Sequence, residues 1–324
     1  MVPRRLVLTL VTSLCWLGLS AATQAQEWPQ RPLRIIVPYA AGGNSDLMAR
    51  MVAQRLTESF KQQVVVENRL GANGALATDA VARSPADGYT LLWAVLPPLV
   101  IQPAIAKTPY DPMKDFAPIT AVGTNPFVLV VNKSLPANNV AEFVNYVRAR
   151  PNQLAYAVGT VGSVTHLAMA LFLKRAGLEM TSVAYRGNAP ALADVVAGQV
   201  PTMFSNLSDA LAHVDGPAIR LLAVSGKQRA AQIPDVPTIA ESGYPGYDMI
   251  TWNGLMAPAG TPKPIIDRIA KEVAVAVKDS KFAERLVTFG VDPLGNRPDE
   301  FAAMIASDIP QWSEAVRITG IKPQ

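Results

Sequence analysis

A short apolar strand, a glycine pair and the start of a helix follow one another within residues 32–50, PLRIIVPYAAGGNSDLMAR. Gly42 and Gly43 allow the backbone to approach a ligand closely. The first N–H groups of the helix that begins near Asn44 have no intrahelical partner, and the helix dipole adds about half a positive charge at that end. The segment therefore predicts a strand–helix unit with a site for a small anion.

Strand-length apolar runs alternate with helical periodicity along most of the chain. Within residues 46–60, Met48, Val52 and Leu56 recur every four residues, as on one face of a helix. This alternation predicts an α/β fold with mixed, mostly parallel sheets flanked by helices. After residue 262 the pattern is helical only. The predicted strands cover residues 33–39, 64–67, 90–95, 127–131, 154–158, 182–185, 202–205, 220–225 and 249–255, and the predicted helices cover 46–60, 137–150, 165–176, 189–197, 262–277, 281–289 and 298–318.

The N-terminal 25 residues predict a cleaved export signal. Arg4 and Arg5 precede an apolar stretch over residues 6–19 that is too short to span a membrane, and Thr23-Gln24-Ala25 fits a cleavage site. Removing two arginines and no acidic residue lowers the formal net charge from +4 by two, to +2. No cluster of basic residues resembles a nucleic-acid patch. We therefore expect a periplasmic mature chain with no nucleic-acid partner, in which the anion site favours a carboxylate over a nucleotide.

The chain is poor in the side chains that metal binding and catalysis require. Its two histidines are His166 and His213, and its one cysteine, Cys15, lies in the predicted signal. We therefore expect no metal site of the usual nitrogen and sulfur type and no cofactor, since no dinucleotide or phosphate-loop motif is present either. Ser163 and His166, three residues apart, are either a nucleophile with its base or a helix cap with a histidine on the helix face. No G-x-S-x-G motif accompanies them.

Residues 154–166 repeat the order of the opening segment: strand, glycine-bearing loop, hydroxyl cap and helix. Roughly 300 mature residues exceed what one core usually supports, so we expect two similar lobes. If the lobes face each other, two helix N-termini meet at one cleft, at the carboxyl ends of strands. Two side chains near this cleft have open roles. Asp46 either faces the ligand or complements the helix dipole, and Trp93 either lines the cleft or packs in the core.

The mature chain contains six blocks in order: PYAAGGNSDLMAR, VVVENRLGANGALATDAVARSPADGYTLL, PYDPMKDFAPI, VAYRGNAPALADVVAGQV, IPDVPTIAESGYPGY and WNGLMAPAGTP. Together they resemble the Bug family, the periplasmic substrate-binding proteins of tripartite tricarboxylate transporters. The resemblance implies a two-lobed Venus-flytrap fold with the ligand in the interlobe cleft. Lobe I is expected to comprise residues 26–127 and 252–324, and lobe II residues 128–251.

The resemblance also implies that two facing loops, residues 39–46 and 158–166, hold the ligand carboxylate through backbone N–H groups and ordered water. The chain departs from the family pattern at residues 70–74, at Val158 and Val161, and at Ser205-Asn206. Because neither loop contains a lysine or arginine, we expect a mono- or dicarboxylate with an apolar or aromatic body. The predicted ligand-binding residues are Tyr39, Ala41, Gly42, Gly43, Asn44, Asp46, Trp93, Thr160, Val161, Gly162, Ser163, His166 and Ser205.

These expectations describe a receptor that is not an enzyme. It would bind a small organic acid and deliver it to the membrane permease subunits of a tripartite transporter. Two alternatives stay open. A receptor that presents its ligand to a sensor kinase needs the same closure, and an exported hydrolase would use Ser163 and His166 but lacks an orienting acid.

Overall fold

The computed structural model describes residues 28–320, so the predicted export signal lies outside the described residues. The strands are β1 (Leu33–Val37), β2 (Val64–Asn68), β3 (Thr90–Val95), β4 (Phe116–Asn132), β5 (Ala155–Val158), β6 (Thr181–Ala184), β7 (Thr202–Asn206), β8 (Ile219–Val224), β9 (Ile250–Pro258) and β10 (Asp292–Pro293). The α-helices are α1 (Asn44–Phe60), α2 (Ala75–Ala82), α3 (Gln102–Ile105), α4 (Val140–Arg148), α5 (Val164–Ala176), α6 (Asn188–Val196), α7 (Leu207–Leu211), α8 (Lys263–Ala276), α9 (Ser280–Thr288) and α10 (Pro298–Thr319). A 3₁₀ turn (Ala72–Gly74) precedes α2, and a π-helical segment (Pro97–Ile101) precedes α3.

Strand β4 is shared by two groups of strands and gives the molecule its two-lobed form. Its residues 116–126 pair with β9, whereas residues 127–132 pair with β7 and β8. On the β9 side the strand order is β10-β4-β9-β3-β1-β2. The short strands β5 and β6 form a separate pair. One long strand therefore runs from one half of the molecule into the other.

The sheets are mixed and flanked by helices, as predicted, but the expected excess of parallel pairs is not found. Among the described strands, β1–β2, β1–β3 and β5–β6 are parallel. Every partner of β4 is antiparallel, and so is the β3–β9 pair. Strand–helix–strand units account for the parallel pairs. The apolar runs that predicted β4 and β9 indicate that these strands are buried. They do not indicate whether the neighbouring strands run parallel or antiparallel to them.

Alternating side chains of β1 enter two different hydrophobic clusters. Leu33, Ile35 and Val37 pack in one cluster with the buried face of α1, while Ile36 belongs to the other. A strand places successive side chains on opposite faces, so a near-continuous apolar run is required where both faces are covered. Burying each such side chain contributes about 1.5–3 kcal/mol. This packing fixes the end of β1, and with it the loop that follows.

Strand β4 shows the same alternation in the second half of the molecule. Val128 and Val130 pack with α6 and β7, whereas Leu129 and Val131 belong to the cluster that also contains residues of α5 and α10. The C-terminal helix thus shares one hydrophobic cluster with both halves. No helix within residues 28–320 is both long enough and apolar enough to cross a bilayer.

Candidate functional site

A cleft of about 530 Å³ lies between the loop that follows β1 and the loop that precedes α5. One wall is formed by Tyr39, by the turn before α2 and by the segment 97–106. The other wall is formed by residues 160–164. No charged side chain is among the described residues that line this cleft. The cleft therefore combines apolar surface with neutral polar groups, as small-molecule sites commonly do.

Asp46 organises the loop that follows β1. Its carboxylate accepts hydrogen bonds from the Gly42 N–H, from Arg50 Nε and from Asn68 Nδ2, each at 2.9 Å. The residue is only 2% exposed. Burial by itself raises the pKa of Asp46, but the bonds from Arg50, Gly42 and Asn68 outweigh it and hold the pKa below its usual value. The carboxylate of Asp46 is thus ionised and holds the loop in place. Its hydrogen bond uses the Gly42 N–H.

Helix α1 begins without a side-chain cap. Its N-cap is Gly43, at φ −78°, and Gly42 is the residue that takes a positive φ, of 86°. Ala41, Gly42, Gly43 and Asn44 are all exposed, next to Tyr39 at the cleft, but none of the four is part of the cleft lining. Because the first N–H groups of a helix have no intrahelical partner, this end of α1 keeps free donors.

The loop before α5 is held by Ser163 and His166. The Ser163 Oγ accepts the His166 backbone N–H at 3.3 Å, and His166 Nδ1 accepts the Gly162 N–H at 3.0 Å. The His166 side chain is 7% exposed, and burial lowers its pKa. Within the described chain no hydrogen bond joins the serine hydroxyl to the histidine ring. This geometry is that of a helix cap and a supporting histidine. Thr160, Val161, Gly162 and Ser163 line the cleft.

Trp93 and Ser205 lie in the protein interior, outside the cleft lining. Trp93 is fully buried, and its Nε1 donates to Asn253 Oδ1 at 3.2 Å. Ser205 is also fully buried, and its Oγ accepts from Asn188 Nδ2 at 3.2 Å. For Trp93 the structure shows the core packing that the sequence left as an alternative.

Asn253 is a polar junction that was not predicted from the sequence. Its Oδ1 accepts from Ser45 Oγ at 3.0 Å as well as from Trp93, and its Nδ2 donates to Asn125 Oδ1 at 2.9 Å. Asn253 lies on β9 and Asn125 on β4, the two strands that connect the halves of the molecule. The bonds tie the start of α1 to both strands. A single asparagine within an apolar strand carries no spacing signal, so nothing in the sequence singles it out.

Most of the cleft lining was not predicted. Asn73, Ile101, Gln102 and Ile105 line the cleft but are not among the predicted binding residues, and the π-helical segment that begins at the proline pair Pro97-Pro98 was not among the predicted helices. The apolar run after the proline pair was the available signal for a helical segment. Within residues 28–320 no cluster of three or more histidine, cysteine or acidic side chains is placed to hold a metal ion.

Comparison with known proteins gives a consistent set of relatives. The family described as "Tripartite tricarboxylate transporter family receptor" matches residues 48–321. Protein BugT of Bordetella pertussis is 36% identical over 307 residues, which cover 94% of this chain and 94% of that protein.

Two solved structures extend the likeness to three dimensions. Rpa4515 of R. palustris with adipate is 35% identical, covers 92% of this chain and 100% of that one, and has a TM-score of 0.72. A TctC solute binding protein from Polaromonas, with no ligand, is 26% identical, covers 90% and 99%, and has a TM-score of 0.82.

Proposed function

Because the chain belongs to the tripartite tricarboxylate transporter receptor family, we propose that it binds a small organic carboxylate in this cleft and delivers it to the membrane permease subunits of such a transporter. The observation that carries the proposal is an uncharged cleft that ends at the N-terminus of α5. There the Gly162 and His166 N–H groups are occupied within the protein. By helix geometry, those of Val164 and Thr165 have no intrahelical acceptor. The similar Rpa4515 structure contains adipate.

The location and the lobes are part of the same proposal. Residues 1–25 are an export signal whose removal leaves a periplasmic receptor. Lobe I comprises residues 26–127 and 252–324, and lobe II residues 128–251. The change of partners along β4 between residues 126 and 127 supports the first boundary, and the start of β9 at Ile250 supports the second.

Among the predicted binding residues, the cleft lining supports Tyr39 and the loop from Thr160 to Ser163 as direct contacts. Asp46 and His166 act through the loops that they hold. The family consists of solute receptors. The hydrogen bonds of Ser163 and His166 give no support to the hydrolase alternative, because the serine hydroxyl and the histidine ring each bond backbone N–H groups and not each other. No contact among the described residues supports the sensor-kinase alternative, which therefore stays a prediction.

Isothermal titration of the mature protein with a panel of aliphatic and aromatic carboxylates tests the proposal. We expect saturable, one-to-one binding, and the acid should be recovered chemically unchanged. The uncharged amides of the same acids are the matched control. Because they lack the carboxylate, we expect them to show no saturable binding in the same titration. Conversion of the acid by the protein, or no binding of any carboxylate, would contradict the proposal.

A further inference from the structure

Two segments from different halves of the molecule touch backbone to backbone beside β4. A Cβ on Gly290, which precedes β10, would meet the Cβ, N and Cα of Ser208 at 2.8, 2.9 and 3.0 Å. Strand β10 pairs with residues 123–124 of β4, whereas β7, which leads into the helix of Ser208, pairs with residues 127–131. Gly290 therefore belongs to the half that contains β9 and β10, and Ser208 to the half that contains β7 and β8.

Gly290 is required at this point for two separate reasons. Its φ is 69°, in the left-handed region that favours glycine. In addition, a side chain there would collide with backbone atoms, which cannot rotate away as a flexible side chain does. Gly177, at the end of α5, has the similar φ of 63°, but a Cβ on it would meet no atom within 4 Å. The close approach between the halves is therefore what distinguishes Gly290 from Gly177.

Hydrogen bonds connect Gly290 to the start of α1. The Gly290 carbonyl accepts from Asn125 Nδ2 at 3.3 Å, and Asn125 Oδ1 accepts from Asn253 Nδ2 at 2.9 Å. Asn253 Oδ1 in turn accepts from the Oγ of Ser45, the second residue of α1, at 3.0 Å. The loop that follows β1 and the Gly290 segment are thus held in fixed positions relative to each other.

Ser208 is connected in a similar way to the loop before α5. The neighbouring Asp209 accepts a hydrogen bond from Nδ2 of Asn188, the first residue of α6. The residue before it, Gly187, donates its N–H to the carbonyl of Gly159 at 2.6 Å. Gly159 lies in the loop before α5, next to the residues that line the cleft. The two loops on either side of the cleft are therefore each tied to one side of the same contact.

On the premise of the proposed carboxylate receptor, we propose that Gly290 and Ser208 form the pivot about which the two halves close on the ligand. Since there is no room even for one added Cβ, the halves can turn at this contact but cannot move closer together there. The contact therefore fixes the spacing between the loop after β1 and the loop before α5. Gly290 is a positioning residue, which acts on the ligand only through these loops.

A distance measurement in the free protein tests the pivot without any ligand. In Gly290→Ala the Ser208 backbone must move by about 1 Å to reach ordinary van der Waals separation from the new methyl group. Spin labels at Val65→Cys on β2 and Val214→Cys after α7 report on one half each, and both positions are exposed. Outside the predicted export signal the chain contains no other cysteine. We expect pulsed electron paramagnetic resonance to show a change of about 1 Å or more in the mean label distance for Gly290→Ala, and none for the matched control Gly177→Ala.

Titration then separates an effect on affinity from an effect on stability. The probes are adipate, malate, hexanoate and benzoate, and the tightest binder is followed in the variants. Free Gly290→Ala accommodates the methyl group by separating the halves, but closure on the ligand presses the contact together again. We expect binding to weaken about five- to a hundredfold, the range that overpacking a close contact gives. Gly177→Ala has a similar backbone strain, so it should lose similar stability in urea unfolding but bind with unchanged affinity.

A second substitution assigns the effect to the contact. Ser208→Gly removes the Cβ, the nearest of the three atoms that the methyl group would meet. Combined with Gly290→Ala it should restore part of the lost affinity, whereas alone it should change the affinity little, because residues in contact have non-additive effects. If Gly290→Ala alone does not fold, this double variant replaces it in the same measurements, since two of the three close contacts remain.

The outcomes distinguish the pivot from the proposed function. An unchanged label distance in Gly290→Ala, an unchanged affinity for the acid, or equal effects of Gly290→Ala and Gly177→Ala on affinity would overturn the pivot and leave the carboxylate receptor intact. If none of the acids binds to the unaltered protein, the proposed function fails, and the label distance alone decides whether Gly290 sets the spacing of the halves.

Discussion

Asp308 is a buried acid at the place where α10 meets β9. It is 3% exposed, and its Oδ2 accepts a hydrogen bond of 2.8 Å from Trp252 Nε1. Burial is the main cause that raises its pKa to about 7, with a smaller contribution from Asp248, while the Trp252 bond and Lys227 lower it. The side chain therefore keeps a proton in the folded protein at a pH at which an unfolded chain would release it.

The raised pKa of Asp308 predicts a stability that falls as pH rises. The unfolded chain releases this proton near pH 3.8 and the folded chain near pH 7, so the loss develops between those values and is complete above them. In Asp308→Asn the amide oxygen can still accept from Trp252, and nothing ionises. We expect this variant to gain stability near pH 8, by at most on the order of 4 kcal/mol, and to gain little near pH 4. Urea unfolding at both pH values measures the difference, and an equal gain at both would contradict the assignment.

His166 predicts the opposite trend. Its buried ring accepts the Gly162 N–H through Nδ1, which requires an unprotonated nitrogen there, and burial lowers its pKa below 6.5. The stability that depends on the neutral ring is complete above pH 6.5 and is lost as pH falls through the lowered pKa. We expect one histidine NMR signal to titrate below pH 6.5. The chain has two histidines, so His213→Gln assigns the signals. A His166 midpoint above 6.5 would refute the prediction.

At the scale of elements, the sequence predicted most helices because their signals are local. Helix α10 was expected over residues 298–318 and runs from Pro298 to Thr319. Proline opens it, Glu300 bonds back to the Arg297 N–H, and Gly320 ends it in the left-handed conformation. The strand β3 was predicted with its observed bounds, since its apolar run is continuous.

The elements that were missed depend on distant partners. The first half of β4, residues 116–126, contains Pro118 and Pro126 and shows no alternation, so it was not predicted as a strand. It becomes one because β9 pairs along it, with irregular register after Pro118 and after Ala121. Asn73 and Gln102 both line the cleft, and only tertiary packing places these distant residues on the same wall. The uniformly buried β3 likewise did not reveal that Trp93 points into the core.

The loop before α1 predicts different roles for its two glycines. Gly42 has a φ of 86°, and a Cβ there would meet no atom within 4 Å, so only backbone strain opposes a larger residue. Gly43 has a φ of −78°, which any residue adopts, so its backbone conformation does not require glycine. We expect Gly42→Ala to lower the free energy of unfolding by about 1–2 kcal/mol and Gly43→Ala to change it little. Chemical unfolding of the pair measures this, and equal losses would contradict the distinction.

At the scale of the whole molecule, two strands and one helix connect the halves. Strands β4 and β9 cross between them and are joined by the hydrogen bond between Asn125 and Asn253. Helix α10 packs against α5, where Arg175 donates to Gln311 at 3.4 Å. Connections of this kind resist twisting of one half against the other but allow the strands to bend. We therefore expect closure to be a hinge motion that narrows the cleft.

Hinge closure predicts a smaller molecule in the presence of ligand. A ligand that touches both walls of the cleft stabilises the closed form by its extra contacts, because only such a difference in affinity shifts an equilibrium between two forms. We expect the radius of gyration from small-angle scattering to decrease when the tightest-binding carboxylate of the panel saturates the protein. The alkylammonium ion of equal length, whose charge is wrong for the α5 N-terminus, should leave it unchanged. A radius that stays constant at saturation would mean that the cleft is already closed, or that binding needs no closure, and would contradict the hinge.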